Sequence, residues 1–304
     1  MSKSEPIVSV IIPHFNDFEN LKSCLESVRL QSWPANAREI IVADNNSEGG
    51  VAAVERIASA DTQVVSASQQ GAGFARNAGV AVARGTIFAF LDSDCFAHQN
   101  WLAEGVTALN HFDYVGGRVI TVANKETRIT PAEAYEVVFA FNFKKYIEKD
   151  KFSGTGNLFV PRRVFEQVGP FRSSVSEDVE WYRRANTMHM RLGYAEKAIV
   201  EHAARREWRS LTRKWNRVLV ETILLSRERP RWHLRWLGYT VVVAVSPLIH
   251  WVRPLLSPRL PGFRAKLMGI VGLIGIRAYR SYLMVRLLLI DPSDESARAA
   301  DRKL

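Results

Sequence analysis

The chain has 304 residues, of which 47% are hydrophobic and 24% charged, so it can bury a full core and is not a disordered protein. Its only cysteines, Cys24 and Cys95, give neither a disulfide framework nor a zinc-binding spacing, which fits a reducing compartment. The formal net charge is +10, but residues 205–286 alone carry 17 Lys or Arg and three Glu. The basic character therefore belongs to the last third of the chain.

Over the first hundred residues, apolar strand-like runs alternate with amphipathic segments, a pattern typical of an α/β domain with a largely parallel sheet. Asn16 and Glu19 resemble a capping box, which predicts a first helix from near Asp17. Ligands of open α/β sheets bind beyond the carboxyl ends of the strands, so we expect His14, Asp44 and Asp92 to converge on one crevice. The predicted elements are strands at 8–12 (ended by Pro13), 40–43, 63–66 and 86–91, and a helix at 74–83.

Beyond residue 100 the pattern is less regular. It indicates a strand at 114–122, an amphipathic stretch at 131–149 and a turn containing glycine at 153–156. Helices are predicted at 176–192 and 207–227, and Pro230 marks a break after the second of them. The sequence shows no internal repeat.

The sharpest motif is Asp92-Ser93-Asp94, which directly follows the apolar run at 87–91. Two carboxylates one residue apart at a strand end can hold a hard cation, which in turn bridges the phosphates of a nucleotide. A turn with two solvated acids is the alternative for this motif in isolation. Its position at a strand end favours the metal site.

Two further segments carry residue types suited to a nucleotide. Asp44 and the polar residues at 45–47 end a predicted strand and could contact a base and ribose, although an ordinary turn has the same composition. In the segment QGAGFARN at 70–77, glycines permit close backbone approach at a helix start, and Arg76 offers a planar fork for phosphate. This segment lacks the final glycine of a dinucleotide fingerprint.

Acidic residues also open the predicted helix at 176–192. Glu177 and Asp178 there could cap the helix, because its dipole stabilises carboxylates, or one of them could act as a general base. His202 follows the short apolar run at 198–200 and is either a structural residue or a metal ligand.

In this order, the motifs resemble the family 2 glycosyltransferases of the GT-A fold, a Rossmann-like nucleotide-binding α/β/α sandwich. The resemblance covers about residues 6–202. The matching stretches are VSVIIPHFN at 8–16, IIVADNNS at 40–47, the segment 71–77 with Gly85, FLDSD at 90–94, and GTGNLFVPRRVFEQVGPF at 154–171, which leads into SEDVEW at 176–181. The resemblance implies an inverting transfer from a nucleoside diphosphate sugar to an acceptor hydroxyl.

The same resemblance implies roles for the matched residues. Asp44 would contact the base or ribose, while Asp92 and Asp94 would hold the diphosphate and a Mg²⁺ or Mn²⁺ ion, with His202 as a further metal or diphosphate ligand. Other nucleotide-sugar contacts are expected at Pro13, Phe15, Asn16, Asn46, Gly71, Arg76, Asn77 and Ser93. Acceptor contacts are expected at Gly156, Asn157 and Trp181.

By the same resemblance, Asp178 would be the catalytic base, taking the proton of the acceptor hydroxyl as it attacks the anomeric carbon. Glu177 would orient Asp178 or the acceptor. Two positions depart from the family pattern. Asn45 stands where a second acid is common, and His14 stands where an aromatic or small residue is commoner.

Two other classes of protein compete with this interpretation. A nucleotidyltransferase that makes activated sugars would need a phosphate loop rich in glycine and arginine after the first strand, which PHFN at 13–16 does not supply. A non-catalytic membrane scaffold with this fold would tolerate loss of the acids. The presence of Asp92, Asp94 and Asp178 together argues against it.

We expect a GT-A catalytic domain at 1–204, with a nucleotide-sugar half at about 1–98 and an acceptor half at about 99–204, followed by a helical region at 205–304. Its basic residues interleave with apolar stretches at 236–252 and 267–290, which favours anionic lipid over nucleic acid. The first stretch is short for a membrane span and contains Pro247 and His250, and the second contains Arg277, Arg280 and Arg286.

An interfacial position of these helices is therefore expected, although a helical hairpin in the membrane remains an alternative. The arginines would then face lipid phosphates and four residues of the second stretch, Ile270, Leu273, Ile274 and Leu288, would enter the acyl boundary. Packing on the catalytic domain, or an oligomer contact, is the other alternative. The polar start at 1–6 lacks the apolar run of a secretory signal, so we expect the enzyme on the cytoplasmic face of the membrane, in synthesis of an envelope polysaccharide or glycolipid.

Overall fold

The computed structural model describes residues 8–124, 126–172, 177–227 and 230–289, and only the backbone of Leu225. The chain forms two compact units: unit 1 comprises 1–120 and 141–202, and unit 2 comprises 121–140 and 203–304. The segment 121–140 thus belongs to the same unit as the C-terminal helices. The predictions for Ser176 and Ile290 lie outside the described residues.

The strands of the structure form one eight-stranded sheet in the order β3-β2-β1-β4-β7-β6-β8-β5. Their bounds are β1 Val8–His14, β2 Arg38–Asp44, β3 Thr62–Ser66, β4 Ile87–Leu91, β5 Cys95–Ala97, β6 Tyr114–Val122, β7 Asn157–Pro161 and β8 Leu192–Ala203. Strands β1 to β4 pair in parallel, whereas β7 runs antiparallel to β4 and β6, and β5 runs antiparallel to β8.

The helices are α1 Phe18–Arg29, α2 Gly50–Glu55, α3 Ala72–Val82, α4 Trp101–Ala108, α5 Pro131–Phe139, α6 Phe143–Lys145, α7 Arg162–Val168, α8 Glu177–Thr187, α9 Trp208–Arg227, α10 Trp232–Val245, α11 Pro247–His250, α12 Val252–Leu256 and α13 Gly262–Leu289. A short 3₁₀ turn occupies Ala35–Ala37 and a π-helical turn occupies Tyr146–Asp150.

The parallel half of the sheet has a hydrophobic core on each face. Successive residues of a strand point to opposite faces, so Val10 and Ile12 join a cluster with Leu21 and Leu25 of α1, while Ile11 joins a different cluster. That second cluster contains aromatic residues of β4, α7 and α8. The strands are therefore covered on both sides, as the sandwich architecture expected from the sequence requires.

The register of the parallel strands aligns their carboxyl ends. His14 lies opposite Asp44, and Ile11 lies opposite Phe90, which places Asp92 just past the end of β4 at the same edge. His14, Asp44 and Asp92 therefore lie at one edge of the sheet, and their convergence on one crevice stays a prediction.

Three local predictions were wrong. Strand β1 does not end at Pro13 but continues to His14, because its pairing with β2 extends through Pro13 opposite Ala43 to His14 opposite Asp44. The capping box does not form: Asp17 is the N-cap of α1 without a side-chain hydrogen bond, and Asn16 adopts a left-handed conformation with φ of 53°. The predicted helix at 176–192 ends at Thr187, and residue 192 begins β8.

Unit 2 is helical, and α13 contacts α5, α9, α10, α11 and α12. Helix α5 begins with a capping box, in which the backbone N–H of Glu133 donates to the Thr130 hydroxyl and the Glu133 carboxylate accepts from the backbone N–H of Thr130. Buried Glu136 contacts Arg205 at 3.1 Å and Lys214 at 2.8 Å. Burial alone would raise the pKa of Glu136, but the two cations outweigh burial and the net shift is downward.

One helical run among the described residues, Trp232–Leu256, is long and apolar enough to cross a membrane, judged by length and composition. Pro247 separates α10 from α11, since proline cannot donate a helical hydrogen bond, and a further turn at Trp251 separates α11 from α12. Within α13, Leu273 is fully buried against Ala132 and Tyr135. The expectation that Leu273 faces lipid is therefore wrong, whereas Ile274 is exposed.

Candidate active site

The end of β2 presents a buried carboxylate whose position is fixed by backbone and ring contacts. Both oxygens of Asp44 accept from the backbone N–H of Ser47, at 3.2 and 3.3 Å, and His14 Nδ1 lies 3.7 Å from Oδ1. The backbone N–H of Asp17 donates to His14 Nε2 at 3.2 Å, which places the proton of a neutral ring on Nδ1. Burial lowers the pKa of His14 despite the opposing effect of Asp44, so the ring is neutral at neutral pH.

The loops next to Asp44 are joined by asparagine side chains. Asn16 Oδ1 accepts from the backbone N–H of Glu48 at 2.7 Å, and Asn45 Oδ1 accepts from the backbone N–H of Gly71 at 2.7 Å. Asn46 and Gly71 both have positive φ, 64° and 145°. The glycine-rich turn is thus held beside the end of β2 by Asn45, the residue that replaces the family's second acid.

Arg76, on α3, joins two other parts of the site. Its Nη2 lies 2.8 Å from Asp92 Oδ1 and its Nη1 lies 3.1 Å from Glu177 Oε1. Burial alone would lower the pKa of Arg76, but the carboxylates of Asp92 and Glu177 outweigh burial and raise it. The Nε–H of Arg76 is buried and has no hydrogen-bond partner among the described residues.

The second carboxylate of the Asp92-Ser93-Asp94 motif lies beside His202. In the pairing of β5 with β8, Cys95 is opposite His202, and this register brings His202 Nε2 to 3.1 Å from Asp94 Oδ2. The ring of Phe141 packs 5.0 Å from the His202 ring. Asp94 and Asp92 keep 36% and 39% of their side-chain surface exposed, so both carboxylates remain open to a ligand. Within the described ranges, no three His, Cys, Asp or Glu side chains form a ready-made metal cluster.

Helix α8 begins at Glu177 and presents its acids at the N-terminal end. Glu177 pairs with Arg76, and its side chain packs beside Gly73, where an added Cβ would lie 3.2 Å from the Glu177 Cγ. Asp178 is the next residue, and its Oδ1 accepts from the backbone N–H of Val179 at 2.7 Å. Glu177 is thus held by an ion pair, and Asp178 lies next to it in the first turn of α8.

The three expected acceptor residues occupy different environments. Gly156 lies against Asp92, since a Cβ there would approach Asp92 Oδ2 to 2.4 Å. Asn157 is fully buried, donates to the carbonyls of Arg118 and Ala198 and accepts from the indole of Trp101.

Trp181 is also fully buried, and its indole donates to the carbonyl of Gly169. In this structure the side chains of Asn157 and Trp181 are buried and hydrogen-bonded within the core, where they support the fold of the site, and their contact with an acceptor stays a prediction.

The remaining expected donor contacts also differ in accessibility. Phe15 is 41% exposed, and Pro13 and Ser93 are half-buried. The Asn77 amide bonds twice to the backbone of Phe171, donating at 2.7 Å and accepting at 2.9 Å. Asn77 therefore ties α3 to the backbone at Phe171, and its contact with a donor stays a prediction.

Sequence reasoning missed the residues that hold the loops. Asn45 bonds across 26 residues of chain to Gly71, and Ser47 accepts from the backbone N–H of Asn16 through its hydroxyl. It also missed that Glu177 pairs with Arg76, 101 residues away. No local pattern reports such contacts, because the fold alone brings these segments together.

Comparisons with known proteins show the family to which the chain is similar. A family model described as Glycosyl transferase family 2 matches residues 9–169. The glycosyltransferase AglE of Haloferax volcanii is 38% identical over 214 residues, which cover 67% of this chain and 69% of that protein. The uncharacterized glycosyltransferase YibD of Escherichia coli is 33% identical over 96 residues, covering 31% of this chain and 28% of that protein.

A solved mannosyltransferase of Pyrobaculum calidifontis, in complex with GDP-Man and Mn²⁺, aligns with a TM-score of 0.57 at 17% identity. The alignment covers 95% of this chain and 88% of that one. At this identity the likeness shows a common fold.

Proposed function

Because this chain belongs to glycosyl transferase family 2 and has the GT-A fold, we propose that it moves a sugar from a nucleoside diphosphate sugar to an acceptor hydroxyl with inversion. The observation that carries this proposal is the Arg76 bridge between Asp92 and Glu177. It links the strand end suited to a diphosphate with the helix start that carries the candidate base. The side chains proposed to bind the donor and those proposed to activate the acceptor are thus connected through Arg76.

In this proposal the base and ribose of the donor lie at the end of β2. Asp44 accepts from the nucleoside, and His14 and Ser47 hold its carboxylate in place. Asn16, Asn46 and Gly71 shape the loops around it, and the exposed ring of Phe15 offers a face for stacking. The unpartnered Nε–H of Arg76 is available to a diphosphate oxygen.

The solved mannosyltransferase of the same fold was obtained with Mn²⁺, and the donor set of this chain fits a divalent metal. Asp92 and Asp94 offer partly exposed carboxylate oxygens, and His202 adds an imidazole nitrogen 3.1 Å from Asp94. Carboxylates with one imidazole suit Mn²⁺, and carboxylates alone suit Mg²⁺. When bound, such an ion neutralises the charge that develops on the leaving diphosphate.

Asp178 is proposed as the base. It removes the proton of the acceptor hydroxyl while that oxygen forms a bond to the anomeric carbon, and the bond from this carbon to the diphosphate oxygen breaks. The nucleoside diphosphate leaves with the bonding electron pair. Glu177 is held by Arg76, so it positions the start of α8 and leaves the proton transfer to Asp178.

A donor screen tests this function. Purified protein is incubated with a panel of nucleotide sugars and Mg²⁺ or Mn²⁺, and release of nucleoside diphosphate is measured with and without chelator. We expect one donor to be hydrolysed in a metal-dependent manner, and acceptor trials then follow with that donor. Release of pyrophosphate from nucleoside triphosphates and sugar phosphates would instead identify a nucleotidyltransferase. Turnover of neither substrate class would favour a non-catalytic scaffold.

Unit 2 is proposed to place the enzyme on the cytoplasmic surface of a membrane that carries a glycan or glycolipid acceptor. The support is the set of exposed apolar side chains on α10 to α13 combined with basic residues on the same helices. The most exposed apolar residues are Leu234, Leu248, Ile249, Leu256, Phe263 and Leu289. An interfacial position would cover these side chains with acyl chains and leave the basic residues at the head groups.

A further inference from the structure

Unit 2 contains a cluster of polar groups without matching partners. Nine buried side-chain nitrogen or oxygen atoms among the described residues lack a hydrogen-bond partner, and four of them belong to this cluster. They are Arg277 Nε, Arg280 Nε, Trp215 Nε1 and His250 Nδ1. Buried polar groups are normally paired, so a concentration of unpaired nitrogens requires an explanation.

The two arginines lie together and face aromatic groups. Arg280 is 4% exposed, and its guanidinium carbon lies 3.7 Å from the centre of the Trp215 ring. Its Nη2 donates to the hydroxyl of Tyr239 at 3.2 Å. The hydroxyl of Tyr135 is also near both arginines. These neighbours give Arg280 hydrogen bonds and a cation–π contact, but none of them carries a negative charge.

Elsewhere in unit 2, basic side chains form ion pairs with buried carboxylates. Arg205 and Lys214 contact Glu136, and Arg206 contacts Glu133 at 3.6 Å. No such ion pair with a described carboxylate involves Arg277 or Arg280. Burial first, and then the charges of Arg280 and Arg253, lower the pKa of Arg277, while the nearby tyrosines oppose the shift.

A bound anion would supply a negative charge for the two arginines. A phosphate group accepts several hydrogen bonds and carries the charge that two adjacent guanidinium groups lack. Arg277 is partly exposed and Tyr239 is 44% exposed, so the cluster reaches the surface of unit 2. The helices that carry these residues, α10 and α13, also carry exposed apolar side chains such as Val242 and Ile274. A phosphate attached to an acyl or polyprenyl chain would match both features.

We propose that Arg277 and Arg280, with the Trp215 indole N–H, form a binding site for the phosphate group of a membrane lipid. The site lies within unit 2 and uses none of the residues proposed for transfer. In this proposal the two arginines bind one phosphate group specifically. A basic helix surface would instead attract anionic lipid in a diffuse manner.

The first measurement is thermal unfolding of the full chain in inorganic phosphate and in chloride at equal ionic strength. A ligand that binds only the folded state raises Tm in a saturable manner. We expect this rise for the natural protein and its loss in Arg277→Gln/Arg280→Gln. The matched control is Arg264→Gln/Lys266→Gln, which removes the same charge from the start of α13 and should keep the rise.

The second measurement distinguishes lipid from soluble phosphate. Full-length protein is mixed with vesicles of phosphatidylcholine alone or with phosphatidic acid. A diffuse charge is worth about 1 kcal/mol near an anionic surface, or about fivefold, so the control double variant should lose at most about 30-fold in binding. The Arg277→Gln/Arg280→Gln variant should lose about tenfold more than this control.

Arg280→Lys keeps the charge and removes the planar fork, and it should lose the phosphate-dependent Tm rise. If Arg280→Lys behaves as the natural protein does, or if both double variants lose vesicle binding equally, the site is overturned. A Tm rise without arginine-dependent vesicle binding would overturn the lipid source. If the double variant does not fold, the single variant Arg277→Gln replaces it in both measurements, because Arg277 is partly exposed. This site rests on the proposed membrane position of unit 2, but neither measurement requires sugar transfer, so failure here leaves the proposed transfer reaction untouched.

Discussion

The two units differ in how their buried arginines are paired and in how many large apolar side chains they expose. In unit 1, buried Arg76 contacts Asp92 and Glu177, and neutral His14 supports Asp44. In unit 2, Arg277 and Arg280 have no described carboxylate partner. Of the large apolar side chains that are exposed in the described residues, four lie in unit 1 and 19 in unit 2. Under the proposed function, unit 1 holds the groups that act on the donor, and a lipid surface would cover the exposed apolar side chains of unit 2.

In the proposed function, unit 1 carries out the transfer reaction and unit 2 binds the membrane. Substitutions at the strand ends of unit 1 should change donor binding or transfer and leave membrane binding unchanged. Substitutions on the exposed helices of unit 2 should do the reverse. The following predictions test that separation.

The largest effect is expected for Asp178→Asn. Loss of a positioned base should slow transfer by about 10² to 10⁴, which corresponds to about 3 to 5 kcal/mol of barrier, with donor affinity unchanged. Steady-state rates and donor titrations on the same protein measure the two quantities. Glu177→Gln is the matched control and should slow transfer less. Near-natural turnover of Asp178→Asn would move the base to Glu177 or to water.

Asp94→Ala should remove metal-dependent binding of nucleoside diphosphate. Loss of even an outer-shell partner of a metal ligand typically costs about 10- to 100-fold in metal affinity, and loss of a direct ligand should cost at least as much. Calorimetry of nucleoside diphosphate with and without Mn²⁺ measures the change. Asp113→Ala, at an acidic residue paired with Arg191 elsewhere in unit 1, is the control. Unchanged metal-dependent affinity in Asp94→Ala would refute the assignment of Asp94.

On unit 2, Leu248→Glu/Ile249→Glu should weaken binding to anionic vesicles by about 10- to 100-fold, because two side chains that are 77% and 72% exposed would no longer enter the acyl boundary. Turnover of a soluble acceptor should stay at the natural level. Vesicle flotation and a transfer assay measure the two outcomes. Leu30→Glu, at an exposed apolar residue of unit 1, should not affect flotation. Equal flotation of all variants would contradict the interfacial assignment.

Arg76→Met should lower the free energy of unfolding by about 2 kcal/mol, since it leaves two like-charged carboxylates without their common partner. The partial exposure of Asp92 and Glu177 limits the loss. Denaturant unfolding measures it. Arg76→Lys should recover only part of the stability, because a single ammonium group does not replace the fork. A stable Arg76→Met protein would show that the bridge matters little to the fold.

The smallest effect concerns pH. The pKa of His14 is lowered in the folded protein, so the unfolded chain binds a proton more readily as pH falls below the ordinary histidine pKa of about 6.5. This contribution to stability is therefore present above that pH and is lost as pH falls toward the folded-state pKa. His14→Leu should flatten the dependence of Tm on pH in this range. His111→Leu, at an exposed histidine, should not, and equal flattening in both variants would exclude the specific effect of His14.

The sequence by itself determined the α/β class, the first four strands and the shared edge of His14, Asp44 and Asp92. Periodicity and strand-end chemistry are local, and parallel strands place their carboxyl ends together whatever the loops do. The strand at 114–122 is also confirmed as predicted. The family assignment followed from motifs at fixed spacing and is confirmed by the comparisons.

Tertiary structure alone decided the partners. Glu177 pairs with Arg76, Asn45 holds Gly71, and Trp181 lies in the core, because packing brings together residues that are distant in the chain. It also buried Arg280 and Leu273 on a helix whose sequence allows either face to be exposed. Burial of a particular helical face depends on which neighbours cover it, and that information lies in the packed structure and not in the local pattern.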